Sequence, residues 1–497
     1  LRRLEERYTK SGNRLLFFGL AIAKIPKEKH GRFLKHPTLK CHRYFLDRTW
    51  KTAKYDRTEA EEKILSLMAT PSYTLWVDGL EKALSKRSVE WQGNTVPLAG
   101  AQNLVRSLPT QAERIDLWKH ITDAFDSVSD FAESELNAVI VNRRIRQELR
   151  GYKYSAESIR AHENEPKTVK NLIAAVSGAF DLSQEFYALK KQLLRLPHLT
   201  YADRAVPLAV EEKDIPFSEA AHMVGTAFRK LHPRYEEALH KFLTNGQIDV
   251  YPKKGKAGGA YCSHSHGLPT FILLNHVNDF ESMMTLAHEM GHAIHSERSK
   301  SQPALYEGYS TSVAETASTF FESLAFEEMT KTLPDSARMA VLHNRLQDDI
   351  QSIFRQVAFY KFEEELHERI KKEGSVAKEE IAALLNRHMR AYMGEAVELN
   401  PADGLFFVAV SHFRRPFYVY SYAFGLLIAK ALLARFKEDP SFVDKIDAFL
   451  SAGGSDTPER IFKSIGIDIQ HPSFFKKGLS LLRKDLEELK ALADKGH

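Results

Sequence analysis

MMTLAHEMGHAIHSE, residues 283–297, places His288 and His292 four residues apart in a run whose apolar residues recur at helical spacing. Side chains at i and i+4 share one helix face, so both imidazoles can reach a single metal ion. Asn278 or Asp279 offers an N-cap ahead of the run, with Glu281 in the first turn. Glu289 follows the first histidine by one residue, so its carboxylate can lie beside a metal without binding it and take a proton from the water that the metal acidifies. A pair of ordinary surface or core histidines would show the same pattern. A catalytic zinc site, by contrast, needs a third protein ligand and one open position.

The position six residues beyond His292, where an extended motif would carry a third histidine, is Arg298. His295 lies only three residues on and points about 60° around the helix from His292, which suits a supporting or structural role. The remaining candidates are Glu297, Glu307, Glu315 and Glu322. Glu315 lies in YSTSVAETASTFFESL, residues 309–324, a helical run rich in Ala, Ser and Thr. Small side chains there let two helices approach closely, and this context favours Glu315. Glu307 stands beside Gly308 in a loop, and Glu297 is a turn too far along the histidine helix. Glu322, seven residues after Glu315 and so on nearly the same face, can orient a histidine ligand.

Outward from this centre most of the chain has apolar residues at three-to-four spacing, as in Phe125, Val128, Phe131, Leu136 and Val139, or Ile350, Ile353, Val357 and Tyr360. A mainly α fold follows. The strand-like region runs from about 247 to 276, where IDVYPKK and AYCSHSHGLPTFILLNH combine β-branched and aromatic residues with glycine turns. Within it Cys262, His264 and His266 alternate along one strand face. Read alone they suggest a second metal site, but a face that contacts ligand is the commoner use. Gly93-Asn94, Pro97, Gly100 and Pro109 interrupt the helical pattern, and the expected division is an N-terminal helical domain over 1–105 and a second domain over 106–497 that carries the candidate zinc site. The closing FFKKGLSLLRKDLEELKAL separates charged and apolar faces and reads as a packing helix.

Composition narrows the function. At 497 residues the chain exceeds one ordinary hydrophobic core, and 43% hydrophobic with 27% charged residues describes a folded globular protein. The net charge of +5 is the small excess of 70 basic over 65 acidic residues, so nucleic acid is not implied. The most basic run, Arg143-Arg144-Ile145-Arg146 near Glu135 and Glu148, reads as a solvated helix face. Two cysteines, Cys41 and Cys262, suggest a reducing compartment, and we expect a cytoplasmic protein. No signal peptide or membrane-length apolar stretch is present; the chain begins at Leu1 rather than Met, which leaves a removed segment open.

Several separated segments together resemble the M3 metallopeptidases, and within them the oligoendopeptidase F group. TLAHEMGHAIHS resembles that family's zinc helix and VAETASTFFE its second helix, whose first glutamate, here Glu315, is the third ligand. GKAGGAY (255–261), HFRRPFYVYSYAFG (412–425) and LSAGGSDTPERIFKSIGIDI (450–469) resemble the glycine-rich turn, the late tyrosine-rich segment and the C-terminal region. The resemblance spans roughly residues 105–490. It implies a mainly helical, two-lobed metallopeptidase fold with a deep central channel and a small β-sheet beside the zinc helix. It further implies one zinc ion per chain on His288, His292 and Glu315, with Glu289 as the base and internal bonds of short peptides as the substrate. A histidine, here His412, and tyrosines of the late segment are implied to stabilise the tetrahedral intermediate. If that segment is helical, Tyr418 and Tyr422 share a face and Tyr420 points elsewhere, so the first two are preferred and Tyr420 is held in reserve. The alternatives are a dipeptide-releasing zinc carboxypeptidase of the angiotensin-converting-enzyme type, against which VAETAS and the 412–425 segment argue, and a helical binding protein without catalysis. The same ligand set would also accept cobalt or manganese. Oligomeric state is not readable.

Overall fold

A computed structural model describes residues 2–152, 156–209, 214–331 and 333–495. The chain is mainly helical, with one continuous apolar core that runs from Leu80 to Ala493. Local chemistry starts the helices where side chains can satisfy their first amides: Thr58 with Glu61 and Thr110 with Glu113 form reciprocal capping boxes for the helices Glu59–Ala69 and Gln111–Asp126. The C-terminal helix Phe474–Lys495 buries Phe475, Leu479, Leu482, Leu486 and Leu489, as its pattern requires.

The strand-like region forms a three-stranded sheet. Phe271–Leu273 is its centre, parallel to Ile248–Asp249 and antiparallel to Tyr261–Ser263, with Cys262 opposite Ile272. Because the last strand ends at Ser263, His264 and His266 lie beyond it rather than on its face. A hairpin that periodicity did not suggest joins Ser88–Trp91 to Asn94–Pro97. Its two-residue turn takes positive φ at both Gln92 (48°) and Gly93 (74°), the backbone that matches strand twist, so the glycine read as a break is the turn itself.

Three helices frame the centre of the molecule. Phe280–Ser299, the histidine helix, packs on Thr311–Thr330, which packs in turn on the late helix Tyr420–Glu438. Small residues bring them together. A Cβ at Gly291 would lie 2.6 Å from the Ser318 Cα and 2.9 Å from the Ala317 carbonyl oxygen, and one at Gly425 would lie 3.1 Å from the Glu315 Cβ. The glycine of His-Glu-Met-Gly-His is therefore a packing residue. We expect Gly291→Ala to cost at least about 1–3 kcal/mol, because the clash is with backbone and not with a side chain that can swing away; urea unfolding midpoints measure it.

The arginine run departs from the expected solvated face. Arg143, Arg144 and Arg146 are half-buried, and Glu135 points fully inward, where it pairs with buried Arg414 at 2.8 Å. The helix Ser129–Arg150 packs against Gln356–Glu373, which removes this face from water.

Candidate metal centre

The histidine helix begins at Asp279, whose carboxylate accepts the Ser282 amide N–H at 2.7 Å. Two turns on, His288 and His292 face the Thr311–Thr330 helix. The Nε2 atoms of His288 and His292 lie 3.4 and 3.6 Å from the Glu315 Oε2. One ligand atom from each of the three residues falls within 4.8 Å of the others, the sole such His/Cys/Asp/Glu group among the described residues. Tetrahedral bonds of about 2.0–2.1 Å put neighbouring ligand atoms about 3.3 Å apart, close to the two histidine–carboxylate separations here, so the donor types and these spacings fit zinc.

His288 and Glu315 are each held from behind. His288 donates from Nδ1 to the Glu322 Oε2 at 2.9 Å, which leaves Nε2 for the metal. Glu322 is in turn gripped by the Arg345 guanidinium, a residue that spacing did not reveal because it comes from the separate helix Asp335–Ile350. Burial opposes ionisation of Glu322, but Arg345 and His288 outweigh it and hold its pKa down to about 2. Glu315 also accepts the Ser318 hydroxyl at 3.0 Å. Burial likewise opposes its charge, yet the His288 hydrogen bond and the nearby imidazoles hold it at about 2. Burial pushes His292 down to about 4, so it is neutral with a free lone pair. Burial would depress His288 too, but hydrogen bonds to Glu315 and Glu322 outweigh it and raise it to about 10. We expect Glu322→Ala to weaken zinc binding by about 10–100-fold with the fold intact, as measured by competition with a chromogenic chelator.

Glu289 is buried on the same helix. The Cys262 backbone amide of the sheet favours the charged form of its carboxylate, and Oε2 has no hydrogen-bond partner. Burial raises its proton affinity; the charges of Glu315 and Glu322 add to this, against His288 and the Cys262 amide. A buried, unsatisfied acceptor beside three converging ligands is what a reacting water requires.

The other candidates separate cleanly. His295 is fully buried, stacks on Tyr309 with ring centres 3.7 Å apart, and is kept neutral by burial at about 3, so it is structural. Glu297 accepts the Thr270 hydroxyl at 2.5 Å and pairs with Lys300. Glu307, buried in its loop, is held by His266 and by His264 at 2.8 Å. That arrangement spends both histidines on one carboxylate, away from Cys262.

In the late segment His412 sits in a short 3₁₀ turn, Ser411–Arg414, and the following helix starts only at Tyr420. Tyr418 is thus not helical as the spacing argument supposed. Its hydroxyl nevertheless lies 2.5 Å from the His412 Nδ1 and 3.3 Å from the Tyr422 hydroxyl. Tyr420 is fully buried and donates to the Asn164 Oδ1 at 2.9 Å. Burial lowers the His412 pKa and raises that of Tyr418, so both side chains are neutral, and a Tyr418 hydroxyl that donates to Nδ1 leaves the His412 proton on Nε2. Tyr422 precedes Gly425 by one helical turn, and Gly425 abuts Glu315, so Tyr422 and Glu315 ride on two closely packed helices.

A family model described as peptidase family M3 matches residues 208–481, and one described as oligopeptidase F matches residues 22–78. Oligopeptidase PepF of Bacillus subtilis is 26% identical over 499 residues, covering 98% of this chain and 74% of that protein. An oligoendopeptidase F homolog of Borreliella burgdorferi is 28% identical, covering 97% and 83%. The crystal structure of oligoendopeptidase-F from Enterococcus faecium superposes with a TM-score of 0.79 at 20% identity, over 99% of this chain and 86% of that one. The M3 match takes in the histidine helix, the Glu315 helix and the late helix together, more than half of the chain. On that extent, and with a ligand triad formed where those helices meet, the chain belongs to peptidase family M3 and is a metallopeptidase that hydrolyses peptide bonds.

Proposed function

We propose that the enzyme is a zinc-dependent oligoendopeptidase that cuts internal bonds of short peptides. The observation that carries this reading is the buried, unpartnered Glu289 Oε2 beside the His288, His292 and Glu315 ligand atoms. A zinc ion on these three residues would supply Lewis acidity, making water more acidic and polarising the scissile carbonyl. Glu289 accepts the proton of the attacking water, a task suited to its raised proton affinity, and later passes it to the departing amine. His412, through Nε2–H, and Tyr422, through its hydroxyl, donate to the developing oxyanion, with Tyr418 between them fixing the tautomer of one and the position of the other. The close relation to proteins called oligopeptidase and oligoendopeptidase supports short peptides as substrates. Two free cysteines and no described helix able to span a membrane support the cytoplasm as its place of action.

The test is cleavage of an internally quenched, end-blocked peptide of about ten residues, roughly 33 Å when extended. Cleavage that chelator stops and zinc restores is the expected result. Zinc-loaded protein that leaves the blocked peptide intact but removes dipeptides from a free C-terminus would overturn it.

A further inference from the structure

Tyr418 follows a residue in an unusual backbone state. Phe417 has φ of +64°, the left-handed region that a bulky aromatic side chain rarely adopts. Such a conformation persists only where its surroundings impose it. Here they do so from one helix. Tyr360, Glu363 and His367 share a face of Gln356–Glu373 and meet Phe417 from three sides. Its ring centre lies 5.5 Å from that of Tyr360 and 4.8 Å from that of His367, and its amide N–H donates to a Glu363 carboxyl oxygen at 3.1 Å. The Arg143 guanidinium lies 5.9 Å from the same ring.

The flanking residues are anchored too. The Pro416 carbonyl accepts the Ser158 hydroxyl at 2.8 Å, and the Arg414 carbonyl accepts the Tyr73 hydroxyl at 2.9 Å. The Arg414 side chain pairs with Glu135 and donates to the Phe407 and Val410 carbonyls at 2.8 and 3.1 Å. All these anchors lie outside the reacting groups, yet they converge on the segment that carries His412 and Tyr418. A fully buried carboxyl is costly unless its polar atoms are satisfied, and the Phe417 amide is a partner that Glu363 holds there.

We propose that Glu363 is a positioning residue for the peptidase reaction: it holds Phe417 in the left-handed conformation, which buries the Phe417 ring and sends the Tyr418 hydroxyl to His412 and Tyr422. The inference rests on the assignment of that hydroxyl cluster to the oxyanion made above. Burial pushes the Glu363 carboxyl well above the usual carboxylate range, so glutamine matches its charge as well as its shape and retains the oxygen that accepts the Phe417 amide. Glu363 therefore acts through Tyr418 and not on substrate.

The experiment measures kcat, KM, zinc content and thermal midpoint for Tyr418→Phe, Glu363→Gln, Glu363→Met and the double variant Tyr418→Phe/Glu363→Met on the quenched peptide. Tyr418→Phe, which releases both the His412 and the Tyr422 donors from their set positions, is expected to lower kcat about 100-fold, the loss typical of one such donor. Glu363→Met should lower kcat at least about tenfold with KM within about twofold and full zinc content, while Glu363→Gln stays within about threefold of wild type. In the Tyr418→Phe background, Glu363→Met should cost less than about twofold more, because the residue it positions has already lost its hydroxyl. A Glu363→Met enzyme with wild-type kcat, or one whose loss is undiminished in that background, overturns the positioning role. Wild-type kcat in Tyr418→Phe overturns the oxyanion assignment, and the inference falls with it. Should Glu363→Met not fold, Phe417→Gly, which relaxes the backbone but deletes the ring, must show the same loss and the same dependence on Tyr418.

Discussion

Glu289→Gln is expected to lower kcat on the quenched peptide by about 1,000-fold, within the range for loss of a general base, while one zinc per chain remains bound. The substitution is nearly isosteric in a buried site and leaves His288, His292 and Glu315 untouched. Glutamine keeps a side-chain oxygen that the Cys262 backbone amide can still favour. What changes is the second position. Oε2, which has no partner and can accept a proton, becomes an NH₂ group that can only donate. KM should move little, because the lost interaction is with the reacting water. Turnover near the wild-type rate would remove Glu289 from the mechanism and leave the triad as a metal site without its base.

Glu315→Ala should abolish measurable turnover and weaken zinc binding by more than about 100-fold, beyond the loss expected when an outer partner such as Glu322 is removed. Alanine keeps the Cβ that faces Gly425, so the packing of the Glu315 helix against the late helix survives. It removes the third ligand atom and a hydrogen-bond partner of His288. Circular dichroism and urea midpoints close to wild type, with zinc lost on dialysis, would separate ligand loss from unfolding. A Glu315→Ala protein that retains zinc at full affinity would place the third ligand elsewhere. Comparison with Glu322→Ala orders the two shells, since Glu322 reaches the metal position only through the His288 imidazole.

The convergence of His288, His292 and Glu315, with Glu289 on the same helix, was legible in sequence because each relation is either local or repeated by helix geometry. Spacing of four sets His288 and His292 on one face, spacing of seven aligns Glu322 with Glu315, and small residues around Glu315 predict the close helix contact that Gly291 and Gly425 complete. The preference for Tyr418 and Tyr422 over Tyr420 agrees with where the hydroxyls lie, although the helix assumed for it begins two residues later. The alternating Cys262, His264 and His266 misled in the opposite way. A period of two placed them on one strand face, but the strand stops at Ser263 and Glu307 draws both histidines to itself.

By itself, then, the amino-acid sequence determined the helical class and singled out the candidate metal-ligating set and the acidic residue beside it, since periodicity and motif spacing encode which side chains share a face. Tertiary structure alone decided which distant groups make those residues competent. Arg345 behind Glu322, the Cys262 amide on Glu289, Glu135 turned inward to Arg414, and Glu363 beneath Phe417 each join elements far apart in the chain. No local period records such pairings, because a buried charge or carboxyl is tolerated only when packing brings its partner to it, and packing is a property of the whole fold.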